Sequence, residues 1–262
     1  MTATSPTLPT RPANPFRKEW GKAFAAFRKL MADKEDTVQV FEIMRALAGK
    51  SVPDGYRKLI STPKGGRIAY DRVELAERLM DRQWLASFAP GTVGATYAEF
   101  TARENLSAEG LAEESRKGRA AQDIDLRHPL AWYGRRIRDV HDLWHILTGY
   151  GRDGLGEACL VAFSYPQTRS LGWAFIAFGV WLRSGNTAGV PVRAAIQEGY
   201  RRGKAAAWLP GEDYEALMAE PLEAARARLG LGRPAIYESI PAEYLDAGQV
   251  EAAAEEATLR AA

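Results

Sequence analysis

The feature that most restricts what this chain can fold into is the recurrence of apolar residues at three- and four-residue intervals over long stretches. These run from Trp20 to Met31, Val38 to Leu47, Val73 to Leu85, Trp132 to Leu147 and Val192 to Ala207. Residues so spaced share one face of a 3.6-residue turn, so each stretch predicts an amphipathic helix with one stripe to bury. Alternating runs bounded by tight turns, which strands would need, are nearly absent. The dipeptide-rich PKGG at Pro63 to Gly66 reads as a separator of two helices. An all-α fold follows, a single-domain multi-helix bundle over 15–247, with Pro/Gly punctuation near Ala89, Gly149, Gly185 and Leu209 between helices. Residues 1–14 read as a disordered leader and 248–262 as a peripheral tail. No fixed-period repeat suggests a solenoid.

Composition excludes several functions. At 262 residues and 46% hydrophobic, the chain has ample material for a core. Thirty-five basic residues against 33 acidic ones leave a net charge of +2, without the excess that a phosphate backbone demands, so nucleic acid is not an expected partner. The single cysteine, Cys159, allows neither an internal disulfide nor a thiolate cluster, and any metal site must use nitrogen and oxygen ligands. The leader lacks the apolar core of a secretory signal, although its Ser, Thr, Pro and Arg content faintly resembles an organelle transit segment. Leu171 to Leu182, LGWAFIAFGVWL, is the most apolar stretch, yet it falls short of the roughly 20 residues a membrane-spanning helix needs. It reads first as a central core helix. The alternative is a greasy tunnel or membrane-facing surface, with Gly172 and Gly179 leaving space beside Trp173, Phe175 and Phe178 for a long hydrocarbon.

The chemistry concentrates in Arg138 to Gly149, RDVHDLWHILTG, followed by Glu157: the pattern is HDxxH, eleven residues, then Glu. On a helix, His141, Asp142 and His145 fall within an arc of about 100°, with the two imidazoles one turn apart. That spacing suits a divalent ion, and the Gly-rich turn from Gly149 to Gly156 can return Glu157 to complete a four-residue N/O site. Leu143, Trp144, Ile146 and Leu147 surround the polar set. Of the three histidines in the chain two sit here; His128, before Pro129, reads as a helix-start residue. Arg135, Arg136 and Arg138 precede the motif, and one of them could meet an anionic substrate group. Asp139 is rotated off the His141–His145 line and reads as a surface carboxylate.

These residues resemble the coenzyme Q (ubiquinone) biosynthesis protein 4 family, whose hallmark HDxxH-x11-E is matched by His141, Asp142, His145 and Glu157 without departure. LASFAPGTVGATYAEF (Leu85 to Phe100), Leu130 to Gly149, Gly156 to Gln167 and the region from Tyr200-Arg201-Arg202 to Leu229 also run parallel, so the resemblance covers roughly Leu75 to Leu231. It implies a helical protein in peripheral contact with membranes and with other ubiquinone biosynthesis proteins. The implied substrate is a polyprenylated aromatic ring, a 4-hydroxybenzoate type whose carbon 1 carboxyl is replaced by a hydroxyl. Oxygen would be co-substrate. A non-catalytic prenyl-lipid-binding scaffold is the alternative, and hydrolysis of a phosphate or ester is a third reading resting only on the generic motif. The resemblance implies His141, Asp142, His145 and Glu157 as metal ligands, with Asp142 or Glu157 alternatively a proton-transfer base. Zinc is the first expectation, with iron or another transition metal open. Leu171 to Leu182 becomes a candidate wall for the prenyl tail, with Trp144, Tyr150 and Tyr165 as candidate neighbours of the head group. A homodimer is plausible, and the expected location is bacterial cytoplasm, peripherally associated with the inner membrane.

Overall fold

A computed structural model of the chain describes residues 14, 16–33, 36–104, 127–184 and 189–245. The expected leader, Asn14 apart, and the expected tail lie outside the described residues. Among those described, the structure is all-α; one isolated antiparallel bridge joins Thr92 to Pro221. In chain order the helices are α1 (Trp20–Ala32), α2 (Thr37–Ala46), α3 (Ser51–Ile60), α4 (Pro63–Asp71), α5 (Leu75–Met80), α6 (Arg82–Ala86), α7 (Val93–Arg103), α8 (Pro129–Asp139), α9 (His141–Thr148), α10 (Gly154–Thr168), α11 (Leu171–Arg183), α12 (Val192–Ala205), α13 (Tyr214–Leu217), α14 (Leu222–Leu229) and α15 (Ala235–Glu238).

Local chemistry places the boundaries, and corrects three of the expected ones. The PKGG segment is not a separator but the first turn of α4: Thr62 caps it by accepting from the Gly65 N–H, and Pro63 occupies a position where a missing N–H costs nothing. The stretch from Val73 is interrupted at Asp81, whose carboxylate accepts from the Gln83 and Trp84 N–H groups, ending α5 and starting α6. The stretch from Trp132 to Leu147 divides at Val140 into α8 and α9. His128 caps α8, its Nδ1 accepting from the Leu130 N–H.

The core is organised around α10, with Leu155, Ala158, Cys159, Leu160, Val161, Ala162 and Phe163 all buried. Its closest neighbour is α12. A Cβ at Gly199 would overlap the Cys159 carbonyl, and one at Gly203 would overlap the Phe163 carbonyl. Glycines one turn apart thus let the two backbones meet along a seam that no larger residue fits. Buried Gln167 ties off the far end, donating to the Gly203 carbonyl at 2.7 Å and accepting from the Leu209 N–H at 2.9 Å. Cys159 lies inside this contact with no exposed surface, and burial pushes its thiol well above the ordinary value.

Helix α11 is not the all-round-buried core helix its composition suggests. Only Gly172, Ile176 and Ala177 are buried, while Phe178 and Leu182 are 60% and 59% exposed. Nor do its glycines leave room for hydrocarbon: a Cβ at Gly172 would fall 2.5 Å from Met44 Sδ, and the space beside Gly179 is filled by the Phe27 ring. They serve close packing of α11 on α2 and α1. Phe175 inserts edge-to-face among Trp20, Phe24 and Phe27, which holds this apolar helix against α1.

Replacing Gly203 by Ala inserts a methyl group against rigid backbone, and the expected cost is about 1–3 kcal/mol. Urea unfolding monitored by circular dichroism checks this; a midpoint equal to wild type would contradict the seam.

Candidate metal centre

The site lies where the start of α9 meets the start of α10. Helix α9 puts His141 and His145 one turn apart, and their rings meet edge-to-face with centroids 5.0 Å apart. Gly149 then ends the helix in a left-handed conformation, φ +81°, which costs glycine nothing. The chain turns back through Tyr150 to Asp153, whose carboxylate caps α10 by accepting from the Gly156 N–H at 2.8 Å. Gly156 has to be glycine, since a Cβ there would overlap the Gly151 carbonyl. Glu157, in the first turn of α10, is thereby returned to the histidines.

One ligand atom from each of His141, His145 and Glu157 falls within 4.8 Å of the others. The Glu157 oxygens stand 3.5 Å from His141 Nε2 and 3.3 Å from His145 Nε2. The second histidine is fully buried, and its Nδ1 lies 3.0 Å from the Tyr150 carbonyl. A carbonyl can only accept, so Nδ1 carries the proton and the neutral ring presents its lone pair at Nε2. That Nε2 has no hydrogen-bond partner among the described residues, and an unpartnered buried acceptor is costly unless something else binds it. Two imidazole nitrogens and a carboxylate are the donor set of catalytic zinc sites with an open position, and of two-histidine, one-carboxylate iron sites. The residues therefore fit a divalent metal ion.

The flanks are aromatic. Trp173 of α11 stacks on His141 at 5.8 Å with an interplanar angle of 3°, and Phe100 of α7 stacks on His145 at 5.8 Å. Behind the site the last carbonyls of α9 are closed by arginines: Arg226 donates to those of Ile146 and Leu147, and Arg202 to that of Thr148. These guanidinium groups satisfy groups that a helix end leaves open.

The structure brings together His141, His145 and Glu157 but leaves Asp142 outside the converging set. Its charge still reaches both His145 and the buried Tyr97 hydroxyl, whose proton is held more tightly in consequence of burial and of the nearby carboxylates. None of the three arginines before the motif faces the site. Arg135 pairs with Glu74, buried Arg136 with Glu215 and the Glu212 carbonyl, and Arg138 with Asp139. Asp139 is 5% exposed and not a surface carboxylate, because α8 ends against the core at that point. Arg152 is the cation at the centre, its Nε 3.8 Å from Glu157 Oε1. Of the expected head-group neighbours, Trp144 is buried and donates to the Tyr214 hydroxyl, Tyr165 stacks on Tyr200, and Tyr150 contributes its carbonyl.

Electrostatics couple the ligands. Burial pushes the Glu157 carboxyl up, but the positive charge that His145 and His141 carry when protonated outweighs it and holds the group well below the ordinary carboxylate value. Burial lowers His145, while the Glu157 carboxylate, the Tyr150 carbonyl and Asp142 raise it further. In metal-stripped protein the Glu157 contribution to stability is present above its ordinary 4.5 and lost as pH falls through the depressed folded value. The His145 contribution is present below its ordinary 6.5 and lost as pH rises through the raised folded value. Both coexist between 4.5 and 6.5. Thermal melts of stripped protein are expected to show a stability maximum there that Glu157→Gln flattens, whereas stabilisation by added zinc grows as pH rises and His145 gives up its proton. Equal pH profiles for the two proteins would refute the coupling.

Comparison with known proteins follows the same residues. The sequence profile of the family described as coenzyme Q (ubiquinone) biosynthesis protein Coq4 matches residues 10–235. The mitochondrial ubiquinone biosynthesis protein COQ4 of Uncinocarpus reesii is 34% identical over 110 residues, 42% of this chain and 37% of that protein. The Neurospora crassa protein of the same description is 33% identical over 110 residues, 42% of this chain and 29% of its own length. The chain thus matches only about a third of the length of these relatives. A crystal structure of a provisionally named ubiquinone biosynthesis protein from Nostoc punctiforme shares the fold, with a TM-score of 0.56 and 20% identity over 82% of this chain and 99% of that one. The names of the curated relatives overturn the expected bacterial cytoplasmic location, since these relatives are mitochondrial. That expectation rested on the brevity of a leader whose composition already resembled a transit segment. No described helix is long and apolar enough to cross a membrane.

Proposed function

The chain belongs to the coenzyme Q (ubiquinone) biosynthesis protein Coq4 family, and on that premise we propose that it acts in ubiquinone biosynthesis as a metal-dependent oxidative decarboxylase. The substrate is a polyprenylated 4-hydroxybenzoate-type ring whose carbon 1 carboxyl is replaced by a hydroxyl with oxygen as co-substrate. Carbon dioxide leaves, one oxygen atom enters at carbon 1, and the electron-rich ring supplies the two electrons that carry the other atom to water, so the hydroxyl product emerges in its quinone form. The observation that carries this reading is the buried, unpartnered Nε2 of His145, aimed at Glu157 and set by the Tyr150 carbonyl. Three protein donors leave coordination positions open for a substrate, which a purely structural site would close.

When bound, a divalent ion supplies Lewis acidity toward the ring carboxylate or phenolate, and iron would add redox chemistry. His141, His145 and Glu157 would hold it. Asp142, outside the converging set but close enough to influence His145, is either a further ligand or the base that accepts a proton from the ring hydroxyl. Trp173 and Phe100 fix the two imidazoles by stacking and limit water around them. The prenyl tail would follow the apolar surface of α11 away from Trp173.

A scaffold reading is favoured by a different observation, the exposed apolar side chains Trp20, Phe24, Phe178 and Leu182 on neighbouring α1 and α11. Such a patch suits contact with a membrane, with other biosynthetic proteins or with a second copy of the chain. The two readings separate experimentally. Incubating metal-loaded protein with a prenylated 4-hydroxybenzoate and oxygen is expected to yield the ring product that has lost the carboxyl and gained a hydroxyl. His145→Ala is expected to lower turnover at least a hundredfold, on the order of removing a main catalytic group. Tight binding without conversion in metal-replete wild type would leave the scaffold.

A further inference from the structure

Arg152 is the one described cation beside the metal-binding set, and it is poorly employed. Its closest acid is Glu157, at 3.8 Å, too far for a hydrogen bond, and its side chain is 35% exposed. The adjacent acid, Asp153, is already committed: it caps α10 through the Gly156 N–H and accepts from the Tyr237 hydroxyl. Glu157 is in turn shared between two imidazoles, and its own side chain retains 35% exposure. Arg152 and Glu157 thus keep contact with solvent at this edge of the site, whereas the His145 side chain has none.

The charge balance gives this arrangement a direction. A divalent ion on two neutral imidazoles and one carboxylate keeps a net positive charge. Arg152 adds another, and Asp142 offsets only one of them. With Glu157 committed to an ion, the guanidinium would lose the little attraction that holds it and would face a cationic centre. A planar guanidinium with unused N–H donors matches a carboxylate in a two-point contact.

The geometry points to Arg152 as the group that binds the ring carboxylate of an aromatic acid at this edge of the metal centre, and so selects acids over their neutral analogues. This rests on the decarboxylase reading for the identity of the acid, but its test is one of binding. Arg152 holds the leaving carboxylate in the ground state and orients the ring; it is a substrate-binding residue that the HDxxH-x11-E pattern does not contain.

The probe pair is 3-geranyl-4-hydroxybenzoate and its uncharged amide, titrated calorimetrically into full-length protein loaded with redox-inert zinc. Wild type is expected to prefer the acid, Arg152→Gln to lose about tenfold in affinity for the acid with little change for the amide, and Arg152→Lys to retain part of the preference. Equal zinc content and circular dichroism for the three proteins show that fold and metal site are intact. An acid-over-amide preference unchanged in R152Q, or absent from wild type, overturns the assignment. The function fails separately: an Arg152-dependent preference with no ring product under oxygen, with zinc or iron, leaves the anion subsite standing and removes the decarboxylase. Product formation with an unaltered preference in R152Q does the reverse.

Discussion

Everything near the metal centre depends on how closely α10 and α12 approach. Because Gly199 and Gly203 present no side chain, the carbonyls of Cys159 and Phe163 sit directly against the α12 backbone. This places α10 deep enough for its first turn, with Glu157, to reach the histidines of α9. The same approach brings Arg202 of α12 onto the Thr148 carbonyl, so the seam positions one ligand helix directly and steadies the end of the other. Close backbone contact trades side-chain burial for dispersion and precision, and here the precision is spent on three side chains.

A second theme is that polar groups around the centre are almost all committed. The Tyr150 carbonyl holds His145, Asp153 holds the turn before Glu157, and Arg226 and Arg202 hold the carbonyls at the end of α9. Tyr150 Oη, two nitrogens of Arg202 and His145 Nε2 are buried without hydrogen-bond partners among the described residues; the last faces Glu157 beside a second imidazole, and Arg152 approaches the same carboxylate only at 3.8 Å.

The helical class was legible because its signal is a repeated period, and so were the two histidines, whose spacing lies within one helix. Glu157 was legible as a pattern but its approach depends on Gly149 adopting a left-handed conformation and on Asp153 capping the next helix, of which only the residue types are visible in sequence. What could not be read was partner choice across the fold. Arg136 and Arg152 look alike in sequence, yet one is buried against Glu215 and the other faces the metal set. Trp173 lies in an apolar run that composition assigns to the core, and only its stack on His141 reveals a place at the site. The break at Asp81 and the helical PKGG turn were missed for a related reason: a single cap decides each, against the prevailing periodicity.

Tyr237 closes the turn that carries Glu157, its hydroxyl donating to Asp153 and accepting from the Gly151 N–H, and the Leu155 N–H donates to the carbonyl of Leu245. During synthesis the histidines and Glu157 leave the ribosome long before these partners exist. Until the chain reaches Tyr237 and Leu245, that turn lacks its last closing contacts, even after Arg202 and Arg226 have reached the end of α9. Order of synthesis thereby becomes a constraint: the turn that returns Glu157 to the histidines is completed by residues made long after it.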